Sequence, residues 1–307
     1  MKFSTKVASV LLMLTAALLF AEPYQSDEFA LSGLALPAGM GGIRSVGEWD
    51  GLAALANPAS INHNEAIAIA VTGGTQWSGL IDIAQIGIAL PGENIGYAAA
   101  VSFNVGDGIP ITQLQYPDEP LSDDNRPIIT EFKTHHTISG ALAVAKRWHK
   151  LAIGVSAKVV HKKIPALSAI GFSVSAGVLY ELSSEIQIGT IAHDISTYQL
   201  FWDDNTRETG MPSLSIGGTY RTDVLSKLTL GFSAEGNYGI DEKLGFLRAG
   251  VCATYAGIVS FALGTEDGAF RTGAEVNISR YAIGASGGYH SSLGETYNVS
   301  LKYSFSQ

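Results

Sequence analysis

Long stretches of this chain alternate between apolar and small or polar residues with a period of two. The apolar positions of the two clearest stretches are Ile170, Phe172, Val174, Ala176, Val178 and Tyr180, and Tyr297, Val299, Leu301, Tyr303 and Phe305. Since successive side chains of a β-strand point to opposite faces, each stretch predicts a strand with one apolar face. About fourteen such stretches follow one another within residues 66–307, with no linker between them.

The connections between the predicted strands differ in length according to their order. Counted from the first strand, the even-numbered turns are short, whereas the odd-numbered ones include the polar segments 104–128 and 194–211. Outer-membrane barrels have short periplasmic turns and longer external loops. The pattern therefore predicts an all-β fold, a closed antiparallel transmembrane β-barrel with both chain ends on the periplasmic side.

A secreted β-sandwich is the alternative fold, because its strands also alternate. The second face of a sandwich lies in water and usually carries Lys, Glu and Thr, whereas here it is mostly Gly, Ser, Ala and Thr. Charged residues make up 15% of the chain, against about 25% in soluble domains. Small residues on the second face suit a lumen that is narrow or that contains a packed segment, so the barrel is favoured.

The N-terminus predicts export. Residues 1–21 have the pattern of a secretory signal peptide, with Lys2 and Lys6 before an apolar run and the small residue Ala21 at its end; an uncleaved anchor is the alternative. The predicted location is the outer membrane of a diderm bacterium, with membrane lipid as a partner. The formal net charge of −9 argues against nucleic acid, because phosphate binding needs clustered Lys and Arg.

Residues 22–65, the plug segment, lack the alternation of the rest of the chain. A barrel of about fourteen strands encloses a lumen too wide for its own side chains to fill, so this segment is predicted to form a short hatch inside or under the lumen. Glycine permits tight turns, and proline stiffens the exit into the first strand. The candidate gate residues are Gly41, Gly42, Asp50, Asn57, Pro58 and Ala59. A static stopper is the alternative role for them.

The same residues resemble a known family. The signal peptide, Gly41-Gly42, Asp50 and Asn57-Pro58-Ala59 resemble the N-terminal hatch of the PorV/PorQ family, relatives of the FadL-type outer-membrane barrels, and residues 139–160, 169–182 and 211–223 resemble its mid-barrel strands. The main hypothesis implied is a type IX secretion component that handles secreted, surface or cargo proteins. The alternative implied is a FadL-like channel for a hydrophobic small molecule in the lumen. A structural porin without a specific ligand is a further alternative.

No pattern predicts catalysis, a cofactor or a metal site. Residues 284–288 fit G-x-S-x-G but lie within an alternating strand, not on the strand-to-helix turn that a hydrolase needs. His135 and His136 are adjacent in a predicted strand and point to opposite faces. The acidic segment 116–127 lacks the ligand spacing of a calcium site and is predicted to be an external loop. Cys252 is predicted to be a small buried residue.

Overall fold

The computed structural model describes residues 33–63, 66–239 and 245–305. The predicted signal peptide and residues 22–32 of the plug segment lie outside the described residues. The strands are β1 Ala68–Gln76, β2 Ile81–Leu90, β3 Ile95–Leu114, β4 Pro127–Trp148, β5 Leu151–Lys163, β6 Ser168–Glu181, β7 Ile186–His193, β8 Tyr198–Trp202, β9 Arg207–Gly210, β10 Ser213–Leu225, β11 Leu228–Gly239, β12 Gly245–Tyr255, β13 Val259–Glu266, β14 Ala269–Ile278, β15 Tyr281–His290 and β16 Gly294–Ser304. The helix α1 spans Ala35–Gly39, and two 3-10 turns span Asp50–Leu52 and Pro58–Asn62.

Fourteen of these strands form a closed antiparallel ring, which confirms the predicted fold. Consecutive strands pair from β1 to β7, β7 pairs with β10, and β10 to β16 again pair in order. The ring closes between β1 and β16, where Val71 lies opposite Leu301. The two remaining strands, β8 and β9, form a hairpin that extends the wall beside β6.

The two faces of the wall differ as the alternation predicts. On β5, Val159 is 60% exposed on the outer face, whereas Ser156 on the inner face is fully buried. Exposed outer aromatic side chains lie towards both ends of the barrel, namely Tyr97, Trp148, Tyr180, Tyr255 and Tyr281 at one end and Phe103, Phe172, Tyr238, Phe270, Tyr289 and Tyr297 at the other. An apolar band between two aromatic girdles is the outer surface of barrels that cross a lipid bilayer. None of the described helices is long and apolar enough to span a membrane.

Two predicted loops contain strands. In segment 104–128, β3 continues to Leu114 and β4 begins at Pro127, so only residues 115–126 connect them. Residues 107–134, the ribbon, form a two-stranded extension beyond the paired ends of β2 and β5. The two faces of the ribbon no longer contact lipid on one side and the lumen on the other, and bulges shift its register. The alternation of apolar and polar residues is therefore weaker there. Segment 194–211 contains β8 and β9, which are too short to show a period.

The prediction that Cys252 is buried is wrong, because its side chain is only half-buried. It lies on the inner face of β12, two residues beyond Gly250, which packs against Met40. Residues 33–63, the hatch, cover the wall as far as Gly250. Cys252 lies closer to the end of the barrel where β1 begins and β16 ends, which we call the terminal end; the opposite end is the loop end.

Candidate functional site: the hatch and the lumen

The hatch lies inside the ring and follows the inner wall around most of its circumference. The helix α1 contacts β13 to β16, the first 3-10 turn contacts β1 to β3, and the second contacts β2 to β6. Between α1 and the first turn, Met40 packs on β12 and β13, and Ser45 packs on β7 and β10. Leu34, Leu52 and Asn57 are among the most deeply buried side chains of the protein. The hatch therefore occupies the lumen at this height.

Most wall strands place a glycine opposite the hatch. A Cβ atom built on any of these glycines would lie within 2.6 Å of a hatch atom, closer than real side chains approach. They are Gly87, Gly96, Gly154, Gly177, Gly189, Gly217, Gly250, Gly264, Gly273 and Gly284. The small residues on the inner face thus allow the wall backbone to contact the hatch directly, which agrees with the prediction of a packed segment in the lumen.

Gly41 and Gly42 end α1 and turn the chain along the wall. Their φ angles are +86° and +72°, in the left-handed region that favours glycine. The amide of Gly42 donates to the carbonyl of Pro37 at 2.9 Å, which closes the helix end. A side chain at Gly41 would meet the carbonyl of Thr265 on β13. Both glycines are therefore required by local geometry.

Asn57-Pro58-Ala59 joins the hatch to β5 and β6. The Asn57 Nδ2 group donates to the carbonyl of Ser45 at 2.7 Å and to the carbonyl of Val178 at 3.4 Å. Its Oδ1 accepts the amide of Ala59 at 3.0 Å and so caps the second 3-10 turn. The peptide between Pro58 and Ala59 packs on Gly154. The tripeptide fixes two parts of the hatch to each other and to the wall.

Asp50 anchors the middle of the hatch by an ion pair. Its carboxylate lies 3.2 Å from Nζ of Lys302 on β16, and the same ammonium lies 3.2 Å from Glu275 on β14. All three side chains are largely shielded from water, so each carboxylate depends on the lysine. Lys302 and Glu275 are absent from the sequence-based candidates. Both are charged residues on the inner face of alternating strands, and that placement could have identified them.

A second anchor, also absent from those candidates, is centred on Glu235 of β11. This buried carboxylate accepts the amides of Arg44 and Ser45 at 2.8 and 2.6 Å. It also pairs with Arg248 of β12 at 2.9 Å, and Arg248 lies 2.7 Å from Glu266 of β13. A fully desolvated carboxylate is stable only with such partners. The hatch backbone is thereby bound to a network that runs across three wall strands.

A third contact lies near the terminal end of the barrel. Glu48 of the hatch pairs with Arg221 of β10 at 3.0 Å and lies 3.7 Å from His63. The nearby His63 and the charge of Arg221 hold the pKa of the Glu48 carboxyl well below its ordinary value. The charged form of Glu48 therefore stabilises the docked hatch.

Between the hatch and the loop end, the described inner wall carries an apolar cluster. Val160, Ala169, Tyr198, Leu200 and the partly buried Trp202 pack together on the inner faces of β5, β6 and β8; we call these residues the apolar patch. Val160, Ala169, Tyr198 and Leu200 are each at most 3% exposed, so the patch is a packed apolar cluster beside the lumen and not an open surface.

The wall is irregular beside the apolar patch. Ala176 of β6 lies opposite Ala192, but Phe172 lies opposite Gln199, so the strand facing β6 contains three extra residues. Asp194 and Thr197 adopt left-handed φ angles of 55° and 63° within this bulge, residues 194–197. The bulge stays bonded to β6, because the amide of Ile195 donates to the carbonyl of Val174 at 2.8 Å. The partner of β6 changes there from β7 to β8.

The sequence-based candidates do not form one cluster. Gly41 and Gly42 lie against β13, Asp50 pairs with β16, and Asn57-Pro58-Ala59 contacts β5 and β6. Their role in gating stays a prediction. The G-x-S-x-G residues lie within β15, and no three potential metal-binding side chains form a group among the described residues.

No known protein-family model matches the sequence, and no curated protein sequence matches it. Solved structures of outer-membrane barrels do match. The toluene transporter TbuX of Ralstonia pickettii has a TM-score of 0.63 at 12% identity, over 91% of this chain and 100% of TbuX. The chain has the fold of the FadL-type barrels. The toluene transporter TodX of Pseudomonas putida has a TM-score of 0.59 at 12% identity, over 92% of this chain and 99% of TodX. A FadL homologue of Pseudomonas aeruginosa has a TM-score of 0.51 at 11% identity, over 94% of this chain and 100% of the homologue.

Proposed function

We propose that this protein is an outer-membrane channel of a diderm bacterium that admits small hydrophobic molecules. The apolar outer band and the two aromatic girdles support the membrane location. The fold supports the substrate class, since TbuX and TodX share it and are toluene transporters. This proposal adopts the alternative suggested by the sequence resemblance in preference to the type IX secretion role.

The single observation that carries the proposal is the position of the apolar patch. It lies on the loop-end side of a hatch that contacts most of the wall strands. A molecule that enters from the loop end passes beside the patch and meets the hatch if it continues straight through. Tyr198 of the patch directly follows the bulge, where the partner of β6 changes from β7 to β8. A sideways exit into the bilayer at the bulge is therefore the route we propose.

The proposal is tested by uptake of toluene in cells that express the protein in an outer membrane, read by an intracellular aromatic-responsive reporter. Leu200→Thr places a hydroxyl in the packed patch beside the proposed exit, removes apolar burial worth about 1–2 kcal/mol, and should lower uptake at limiting toluene about tenfold. The matched control is Leu263→Thr, on the outer face of β13, which should leave uptake unchanged. Uptake no greater than that of cells with an empty vector would refute the channel.

A second candidate function is the handling of secreted proteins, as the PorV/PorQ resemblance implies. The ribbon supports it, because Phe132 and Ile129 are exposed there beyond the paired ends of the neighbouring strands, Phe132 to 66%. Exposed apolar side chains on a strand pair with free edges suit a protein partner. If deletion of the gene removes surface proteins and leaves toluene uptake intact, this second function replaces the first.

A further inference from the structure

Four residues with nitrogen donors lie together on the outer face of the barrel towards the loop end. They are His136 on β4, His161 and Lys163 on β5, and Arg207 on β9, and we call them the cationic patch. His136 is directly opposite Lys163 in the β4–β5 ladder, and the rings of His136 and His161 are 6.3 Å apart. The function proposed above uses none of these residues.

The register extends the patch across four strands. His161 is opposite Ile170, Ile170 is opposite Phe201, and Phe201 is opposite Arg207. With a strand spacing of about 4.8 Å, His161 and Arg207 are about 14 Å apart. The guanidinium of Arg207 lies 5.1 Å from the centre of the Phe201 ring. Exposed apolar side chains therefore lie directly between the two ends of the patch.

The height of the patch places it at the edge of the apolar band. Along the outer face of β5, Ile153, Val155 and Val159 are exposed and apolar, and the next two outer residues are His161 and Lys163. Leu151 and His161 are separated by about 33 Å along the strand. At a strand tilt of about 40° this distance becomes about 25 Å across the membrane, the height of the apolar band of outer-membrane barrels. The patch is therefore level with lipid headgroups.

The outer face of β14 to β16 differs from the sector that carries the patch. Towards the loop end of β14 to β16, the outer face presents the aromatic residues Phe270, Tyr289 and Tyr297. The chain as a whole carries a net charge of −9, so cations on adjacent strands are not a general property of its surface. Ser168 lies opposite Lys163 in the β5–β6 ladder, and its amide and hydroxyl groups donate to the carboxylate of Asp203 at 3.1 and 2.9 Å.

We propose that the cationic patch binds the phosphate groups of an anionic glycolipid of the outer leaflet. Lys163 and Arg207 supply full charges, and an imidazole N–H donates a hydrogen bond in the neutral and the charged form. The acyl chains of the same molecule lie against Ile170, Phe172 and the outer face below them. The inference rests on the proposed outer-membrane location but is independent of the transported molecule.

The test measures binding of lipopolysaccharide to the full-length protein in vesicles of zwitterionic phospholipid. The variant Lys163→Gln/Arg207→Gln should bind about 25-fold more weakly, at about fivefold per removed charge. The matched control is Lys150→Gln/Arg280→Gln, which removes two exposed cations at the terminal end and should stay within about twofold of the wild type. Dephosphorylated lipopolysaccharide should bind wild type and patch variant equally weakly.

Three results would overturn the inference. They are equal losses in the two double variants, equal binding of phosphorylated and dephosphorylated lipid, and full competition by millimolar inorganic phosphate, which would indicate a site for free anions. Insertion into vesicles is measured first by flotation. A protein that does not insert refutes the membrane location, whereas one that inserts but shows no lipid preference refutes only the glycolipid site.

Discussion

Replacing Gly154 with alanine should separate the hatch from the wall. A Cβ atom at this position would lie 2.5 Å from the carbonyl carbon of Pro58 and 2.6 Å from the amide nitrogen of Ala59. Both atoms belong to the hatch backbone, so no side-chain rotation relieves the contact. The peptide must move by about 0.5 Å to reach an acceptable distance, against the hydrogen bond that holds Ala59 to Asn57.

The free-energy cost of Gly154→Ala can be taken from the known cost of overpacking, and a second glycine of the wall provides a matched control. Excess volume in a packed interior costs about 1–3 kcal/mol, and this cost falls on the docking of the hatch because the strand itself accepts alanine. The control is Gly140→Ala on the outer face of β4, where the nearest atom to a new Cβ is 3.7 Å away. Alanine there restricts the unfolded chain and should be neutral or stabilising by up to about 1 kcal/mol.

The assay compares the two variants in the same membrane. Gly154→Ala should raise ion conductance in planar bilayers and the rate at which added protease cleaves the hatch, while the barrel keeps its strand content by circular dichroism. Gly140→Ala should match the wild type in all three measurements. Equal hatch cleavage in both variants would refute the argument that direct contact between backbones holds the hatch.

Three further perturbations address the charged anchors. Glu235→Ala removes one of the two carboxylates paired with Arg248 and also the acceptor of the Arg44 and Ser45 amides. It should lower the free energy of unfolding in urea by about 3–5 kcal/mol, and a loss below about 1 kcal/mol would contradict this. Lys302→Met leaves the Asp50 carboxylate buried without its cation and should increase protease cleavage of the hatch at unchanged strand content. Because the folded-state pKa of Glu48 is lowered, its stabilisation is complete above the ordinary pKa and is lost as the pH falls towards the lowered value. Hatch tryptophan fluorescence should therefore be constant from pH 7 to about pH 5 and change only in stronger acid.

The barrel strands could be predicted because each side of the wall has a uniform environment. The alternation from Ile170 to Tyr180 predicts β6, and the strand extends from Ser168 to Glu181. Lipid outside and small residues inside impose the same period on every strand that crosses the band. Where β3 and β4 leave the band, water contacts both faces and bulges change the phase. The sequence therefore predicts a loop over residues 104–128, which include most of the ribbon.

The location of the plug segment could be predicted, but its contacts could not. Composition indicates a segment within a wide lumen, and the structure places residues 33–63 there. Which strand Asn57 contacts depends on the path of the hatch around the wall, and no local pattern determines that path. Part of the information was nevertheless present in the sequence. Inward charges such as Glu235 depart from a face that is otherwise mostly Gly, Ser, Ala and Thr.

The contact between hatch and wall has a consequence for biogenesis. The hatch precedes β1 in the chain, and β1 completes the ring by pairing with β16, the last strand. A segment in contact with most of the strands of a finished cylinder has little room to enter it afterwards. The hatch should therefore be enclosed while the cylinder is still an open, curved sheet, and joining of the first and last strands should be the final step of maturation.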